Sequence, residues 1–423
     1  MANEKYWHSV MLERDLCKGC TNCLKQCPTY AIRIQQGKAK ILKERCIDCG
    51  ECIRVCPYHA KKAATDKFDM LDKFKYKIAL VAPAFLGQFT KAEDCNTILT
   101  ALTDIGFDSV FEVAVGAQEI SRKTRELLKE NKLQKPAISS ACPAVCKLIA
   151  VRFPDLIQNI IPLKSPMEVS AEAARIEAVN KTGLKPEEIG IFFISPCAAK
   201  ATAVKDERIV KKSNVDGVIS IKDTYLKLAQ KISIINEVKD ISHAGRVGTL
   251  WATSGGEAQA TEAPRCVAVD GIHNVIKLLE DIEDGKLPNT DYVEALACPG
   301  GCVGGPLTAE NSFVARARIE RICKKMPDES GNVDNSVERM WDGPPAYSPV
   351  MKLNEDINIA MQMAIRIEEI VDELPGLDCG SCGSPSCRTL AEDIVRGYAS
   401  EDDCIFKLRE KYSRLMRENN SEN

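Results

Sequence analysis

From about residue 76 onward the chain alternates short apolar runs with longer amphipathic stretches. Ile78–Ala82, Val110–Val115, Ile189–Ser195, Val218–Ile221, Cys266–Val269 and Val293–Ala297 are short and rich in Val, Ile and Ala, as buried strands are. Between them, segments such as Glu119–Glu130 and Lys222–Ile235 carry apolar residues at helical spacing. Strands alternating with helices predict an α/β class with parallel sheets and ligand-bearing loops at the strand ends. Upstream, the short alternating segments Ala31–Gln35 and Ala39–Lys43 suit the small strands of an α+β module. Downstream, Glu355–Glu373 reads as a long amphipathic helix, with Ile357, Ile359, Met361, Ile365 and Ile370 apolar, halted by Leu374-Pro375-Gly376. The pattern divides the chain into residues 1–75, 76–365 and 366–423.

Composition narrows the class. A chain of 423 residues exceeds one typical core, and 45% hydrophobic with 28% charged residues is an ordinary globular balance. A net charge of −3 offers no global attraction to nucleic acid, which is not expected as a partner. No run reaches the roughly 18 apolar residues of a membrane span, so no membrane partner is expected either. The first residues lack the apolar core of a signal peptide and a twin-arginine pair, and the expected location is cytoplasmic. Twenty cysteines in so long a chain, spaced at metal-ligand intervals, read as ligands rather than disulfides.

Cys17, Cys20, Cys23 and Cys27, followed by Pro28, form C-x2-C-x2-C-x3-C-P, and Cys46, Cys49, Cys52 and Cys56, followed by Pro57, repeat it. In such a run three cysteines hold one [4Fe–4S] cube and the fourth crosses to the other. The expected groups are Cys17, Cys20, Cys23 and Cys56, then Cys46, Cys49, Cys52 and Cys27. Zinc also uses C-x2-C, but a tetrahedral zinc site needs no crossed fourth ligand. This doubled run marks residues 1–75 as a ferredoxin-like electron carrier. His59, just past Pro57, is a surface histidine or one that tunes or ligates a cube.

Three loops of the central segment set cysteine beside proline: Ser139-Ser140-Ala141-Cys142-Pro143, Ser195-Pro196-Cys197-Ala198-Ala199-Lys200, and Glu294 to Pro306 with Cys298 and Cys302 in a glycine-rich setting. Glycine there lets backbone approach a bulky inorganic ligand. Cys142, Cys197, Cys298 and Cys302 supply four thiolates from distant parts of the chain, enough for a third cube between two lobes.

These loops resemble, in order and frame, the three signature motifs of [FeFe]-hydrogenases that carry a double ferredoxin module, and the likeness spans nearly all of residues 1–365. It implies a two-lobed hydrogenase catalytic domain in which the four cysteines hold a [4Fe–4S] cube. It also implies that Cys302 bridges to a di-iron subcluster carrying CO, CN and azadithiolate, and that Lys200 donates a hydrogen bond to a cyanide. A buried ammonium needs an anionic partner, and no carboxylate adjoins Lys200 in sequence. Ala82-Pro83-Ala84 resembles the segment flanking one cyanide. Trp251-Ala252-Thr253-Ser254-Gly255-Gly256 resembles the loop near the bridging carbonyl, although a strand end and a helix start explain both segments equally well. Pro83, Ala84, Ser140, Ser195, Trp251, Ala252 and Leu296 are the cofactor-binding candidates.

The chain departs from the turnover members of that family along the proton route. Where they place a proton-relaying cysteine stands Ala141, where a glutamate follows the lysine stands Ala203, and Lys123 and Thr124 occupy the place of paired glutamates. Ser195 and Leu296 replace methionines, and Val145 replaces a tryptophan. Losing a positioned acid or base costs ~10²–10⁴ in rate, whereas binding hydrogen needs only an open, tuned metal position. The resemblance therefore implies slow hydrogenase chemistry in the hydrogen-sensing type. Cys146, one helical turn beyond Cys142, is a substitute relay or a buried thiol.

Past residue 366, Cys379, Cys382, Cys387 and Cys404 form C-x2-C-x4-C…C, which resembles a small appended four-iron domain, although the spacing also lies within zinc habits. Cys95, Cys146, Cys266 and Cys323 remain outside the four sets. The partners implied are H2 and protons, a ferredoxin or separate signalling protein, and maturation proteins. The alternatives are a turnover hydrogenase with another proton route, and an iron–sulfur carrier or scaffold without the di-iron unit.

Overall fold

The computed structural model of the chain describes residues 7–90, 94–206, 212–235, 237–341, 343 and 345–421. It divides into two compact units, one of Met1–Ser9, Ile47–Gly50 and Ala63–Tyr347, the other of Val10–Cys46, Glu51–Lys62 and Ser348–Asn423.

In the unit built around the cysteine runs, strand β1 (Val10–Leu12) pairs with β4 (Lys61–Ala63), and β2 (Ile32–Gln35) with β3 (Lys38–Ile41). The β2–β3 hairpin is antiparallel, with Ile32 opposite Ile41. One-turn helices Asn22–Lys25 and Glu51–Arg54 carry Cys23 and Cys52. The tail belongs to this same unit. Its helices Ile357–Glu373 and Cys387–Val395 close a core of Ile367, Ile370, Leu374, Leu390 and Ala391. The division expected at residue 365 thus falls inside a helix.

In the other unit, β6 (Ser109–Glu112), β5 (Tyr76–Val81), β8 (Ile189–Ser195) and β9 (Gly217–Ser220) form a parallel sheet in the order β6-β5-β8-β9. Side chains on a strand alternate between faces. Accordingly Ile78, Leu80, Ile191 and Phe193 enter one core, and Ala79, Val81, Phe192 and Ile194 another. Burial on both faces explains why these strands read as unbroken apolar runs. A second parallel sheet has the order β10 (Cys266–Asp270), β11 (Tyr292–Leu296) and β7 (Ala137–Ile138). The α/β class with two parallel-sheet lobes is therefore realised.

Val113–Val115, expected to continue a strand, instead opens the helix Val113–Lys129. A short apolar run is ambiguous between strand and helix. Here Glu112 ends the strand, its buried carboxylate accepting from the amides of His243 (2.7 Å) and Ala244 (3.0 Å). Strand β7, only two residues long, left no periodic signal.

Candidate functional site

Parallel strands deliver their C-terminal ends to one edge, and the loops that follow them carry the cysteines. Cys197 follows β8, Cys298 follows β11 and Cys142 follows β7, each within four residues of its strand. Together with Cys302 and Lys200 they line a single cavity of about 90 Å³, walled also by Pro83, Ala84, Ala141, Trp251, Ala252 and Leu296. Two glycines allow this convergence. Gly301 has φ 93°, and a Cβ there would lie 2.7 Å from the amide nitrogen of Ser254; one on Gly305 would lie 2.2 Å from the carbonyl oxygen of Pro196.

Burial and the neighbouring thiols Cys298 and Cys142 push the Cys197 thiol up to about 12, and burial pushes Cys302 well above the usual thiol range. Thiols so placed do not ionise readily unaided, whereas a bound metal deprotonates its ligands. Four sulfurs lining one largely apolar pocket together with the Lys200 ammonium fit an anionic iron–sulfur assembly, and the soft donor set suits iron.

Ser140, Ser195 and Cys146, expected at the site, do not line the cavity. The Ser140 hydroxyl donates to the Leu163 carbonyl oxygen (2.8 Å), and the Ser195 hydroxyl bonds the backbone of Cys197 (3.0 and 3.1 Å). The Cys146 thiol donates to the Ser140 carbonyl oxygen (3.5 Å), and burial raises it far above its ordinary value. Lys123 pairs with Glu126 at the surface, and Thr124 donates to the carbonyl oxygen of Ile120.

Sequence reasoning missed Glu257, which lines the cavity on the short helix Gly256–Thr261. Its Oε1 accepts from the Tyr292 hydroxyl (2.6 Å) and the Ser139 hydroxyl (2.7 Å). Burial first, and then the neighbouring Glu294 carboxylate, push its carboxyl up to about 8. Glu294 is itself raised by burial, while its oxygens accept from the amides of Gly255 (2.9 Å) and Ala258 (2.7 Å). Glu168, also buried and raised, accepts from Ser213 (2.6 Å) and Asn214 (2.9 Å). The charge of Lys200 acts on both Glu257 and Glu168. Carboxyls therefore do neighbour Lys200 in space though none does in sequence. The available signal was Glu257 directly after the Trp251–Gly256 loop.

Four cysteines of the doubled run also come together. Cys17, Cys20, Cys23 and Cys56 line one cavity. Backbone amides approach the sulfurs, Ala31 to Cys27 (3.2 Å), Ala60 to Cys56 (3.3 Å) and Ala39 to Cys17 (3.4 Å), as suits thiolate acceptors. In the tail Cys379, Cys382, Cys387 and Cys404 line another cavity.

Comparison with known proteins agrees with this geometry. The family "Iron only hydrogenase large subunit, C-terminal domain" matches residues 75–306, a "4Fe-4S dicluster domain" residues 9–57, and an Fe-S cluster family residues 374–406. The chain is 24% identical to Iron hydrogenase 1 of Clostridium pasteurianum over 49% of its own length and 44% of that protein. It thus spans less than half of that relative. It is 24% identical to the Periplasmic [Fe] hydrogenase large subunit of Nitratidesulfovibrio vulgaris, over 70% of this chain and 86% of that one. It is also 21% identical to the "Probable cytosolic Fe-S cluster assembly factor Bm6838" of Brugia malayi, over 77% and 78%. Among the described residues, no helix is long and apolar enough to cross a membrane.

Proposed function

Because the chain belongs to the iron-only hydrogenase large-subunit family, we propose that it interconverts H2 with protons and electrons at low rate and serves as a hydrogen sensor. The observation that carries this reading is one cavity uniting Cys142, Cys197, Cys298 and Cys302 with Lys200, a non-relaying Ala141 and the protonatable Glu257. The cysteines would hold a cubane, with Cys302 also joining a di-iron unit, and the assembled cofactor supplies heterolytic cleavage of hydrogen.

The chain's own residues orient that group and handle the proton. Lys200 offers its ammonium to an anionic ligand such as a cyanide. Trp251, its indole nitrogen donating to Ser121 (3.0 Å), Leu296 and Ala252 keep water out. Glu257, its carboxyl raised by burial and by Glu294 although it accepts from Tyr292 and Ser139, offers a proton-holding group in the cavity where Ala141 has none. The cysteines of residues 9–57 and 374–406 would hold further cubanes, which would supply electron transfer toward a ferredoxin or a signalling protein.

The likeness to an assembly factor favours a second reading, an iron–sulfur scaffold that never takes the di-iron unit. Infrared spectra of protein produced with hydrogenase maturation proteins separate the two. Bands of metal-bound carbonyl and cyanide, lost in Cys302→Ser, are expected; their absence from protein with full iron content leaves the scaffold. Vigorous hydrogen evolution would remove the sensory reading and leave a turnover hydrogenase.

A further inference from the structure

The two cysteine runs of residues 9–57 repeat in structure as well as in sequence. Cys27 matches Cys56, and three residues after each stands a non-glycine residue with positive φ, Tyr30 (51°) and His59 (49°). Each donates its amide to the carbonyl oxygen of its own cysteine at 3.2 Å. The following alanines, Ala31 and Ala60, donate to the cysteine sulfurs. The next residues open strands β2 and β4, and there the likeness breaks, because Ile32 is matched by Lys61. Both are 2% exposed.

An isoleucine in that position is ordinary core. A lysine is not, since burying an unpaired ammonium costs several kcal/mol. Among the described residues, the buried Lys61 Nζ has no hydrogen-bond partner and no acidic side chain pairs with it. It lines the cavity of Cys17, Cys20, Cys23 and Cys56. Its charge opposes the effect of burial on Cys23 and, further down the order of causes, on Cys52. The anion missing from its surroundings is therefore to be sought among the sulfur ligands. A [4Fe–4S] cube in four thiolates is anionic when oxidised and gains one more negative charge on taking up an electron.

We propose that Lys61 is a fixed cation set against the cluster of Cys17, Cys20, Cys23 and Cys56, raising its reduction potential so that electrons released from hydrogen collect there. A fixed positive charge stabilises the reduced cluster more than the oxidised one, and net charge near a cluster is a principal determinant of its potential. One electron enters and no bond changes. Lys61 is a tuning residue rather than a ligand, and the proposal rests on the ligand grouping given above. For a sensor the consequence is direct: the cluster filled first is the one whose oxidation state reports hydrogen to a docked protein.

Anaerobically reconstituted full-length protein tests this by potentiometric titration followed by electron paramagnetic resonance. Lys61→Met, which keeps the length and apolar stem of the side chain, is expected to shift the one-electron equilibrium of one cluster at least tenfold toward oxidation, 59 mV at one electron. Lys61→Arg is expected to keep the wild-type potential to within a few-fold in that equilibrium. An unmoved potential in Lys61→Met, or an equal fall in both variants, overturns the proposal. Should Lys61→Met not take up its cluster, Lys61→Gln is titrated against the same criteria. Iron content judges the grouping separately. Wild-type protein with no four-iron cluster in residues 9–57 overturns both readings, whereas full loading with an unmoved potential overturns the role of Lys61 alone.

Discussion

Glu257 concentrates the chemistry of the central cavity in one side chain. Its carboxyl, raised by burial and by Glu294, stays protonated at neutral pH and ionises as the pH passes about 8. On the proposed reading a proton acceptor in hydrogen oxidation must be ionised, so activity is expected to climb through that range. In Glu257→Gln that limb should vanish and the rate should fall by ~10² or more; dye-reduction assays across pH read both. The same carboxyl links stability to pH. The folded chain keeps a proton that the unfolded chain loses at about 4.5, so this contribution is complete below about 4.5 and disappears as pH rises through about 8. Thermal melts of wild type should decline over that window relative to Glu257→Gln. Ala141→Cys supplies a thiol to the cavity wall, and hydrogen oxidation should rise by ~10² or more if proton transfer limits the wild type; an unchanged rate assigns the transfer to Glu257 alone.

At the scale of elements, the strands announce themselves because each is buried on both faces, while the loops that carry the site depend on close backbone approaches. Gly301 is the clearest case. Its φ of 93° and the nearby Ser254 amide leave no room for a side chain, so Gly301→Ala is expected to cost ~1–3 kcal/mol. Differential scanning fluorimetry should show the loss, and iron analysis should show the central cube depleted while the others persist. The helix Val113–Lys129 teaches the converse. Val113, Ala114 and Val115 suit a strand equally well locally, and only Glu112, held by amides some 130 residues away in sequence, turns the chain into a helix.

At the scale of the molecule, the segments around the first cysteine run and the tail, far apart in sequence, share one compact unit. A buried ion pair joins them: Arg33 donates to both oxygens of Asp393, at 2.5 and 3.0 Å. Removing one member of such a pair leaves a buried charge and costs ~3–5 kcal/mol. Arg33→Ala is therefore expected to expose the tail to limited proteolysis, and retention of wild-type resistance would assign the docking to the surrounding contacts instead. Arg45 adds a second link, donating to Glu392 at 2.7 Å.

Local sequence determined what depends on near neighbours: strands from apolar runs, the cysteine runs from their spacing, and the three signature loops from cysteine beside proline and glycine. It also marked Ala141 as unable to pass a proton. Tertiary structure alone decided which groups share a cavity, because that depends on strand order and on backbone approaches between loops remote in the chain. Hence Glu257 and Lys200 line one pocket, Ser140 and Cys146 do not, and Lys61 stands buried where its repeat partner is an isoleucine. Charge and burial act through space, and their partners come from any point along the chain.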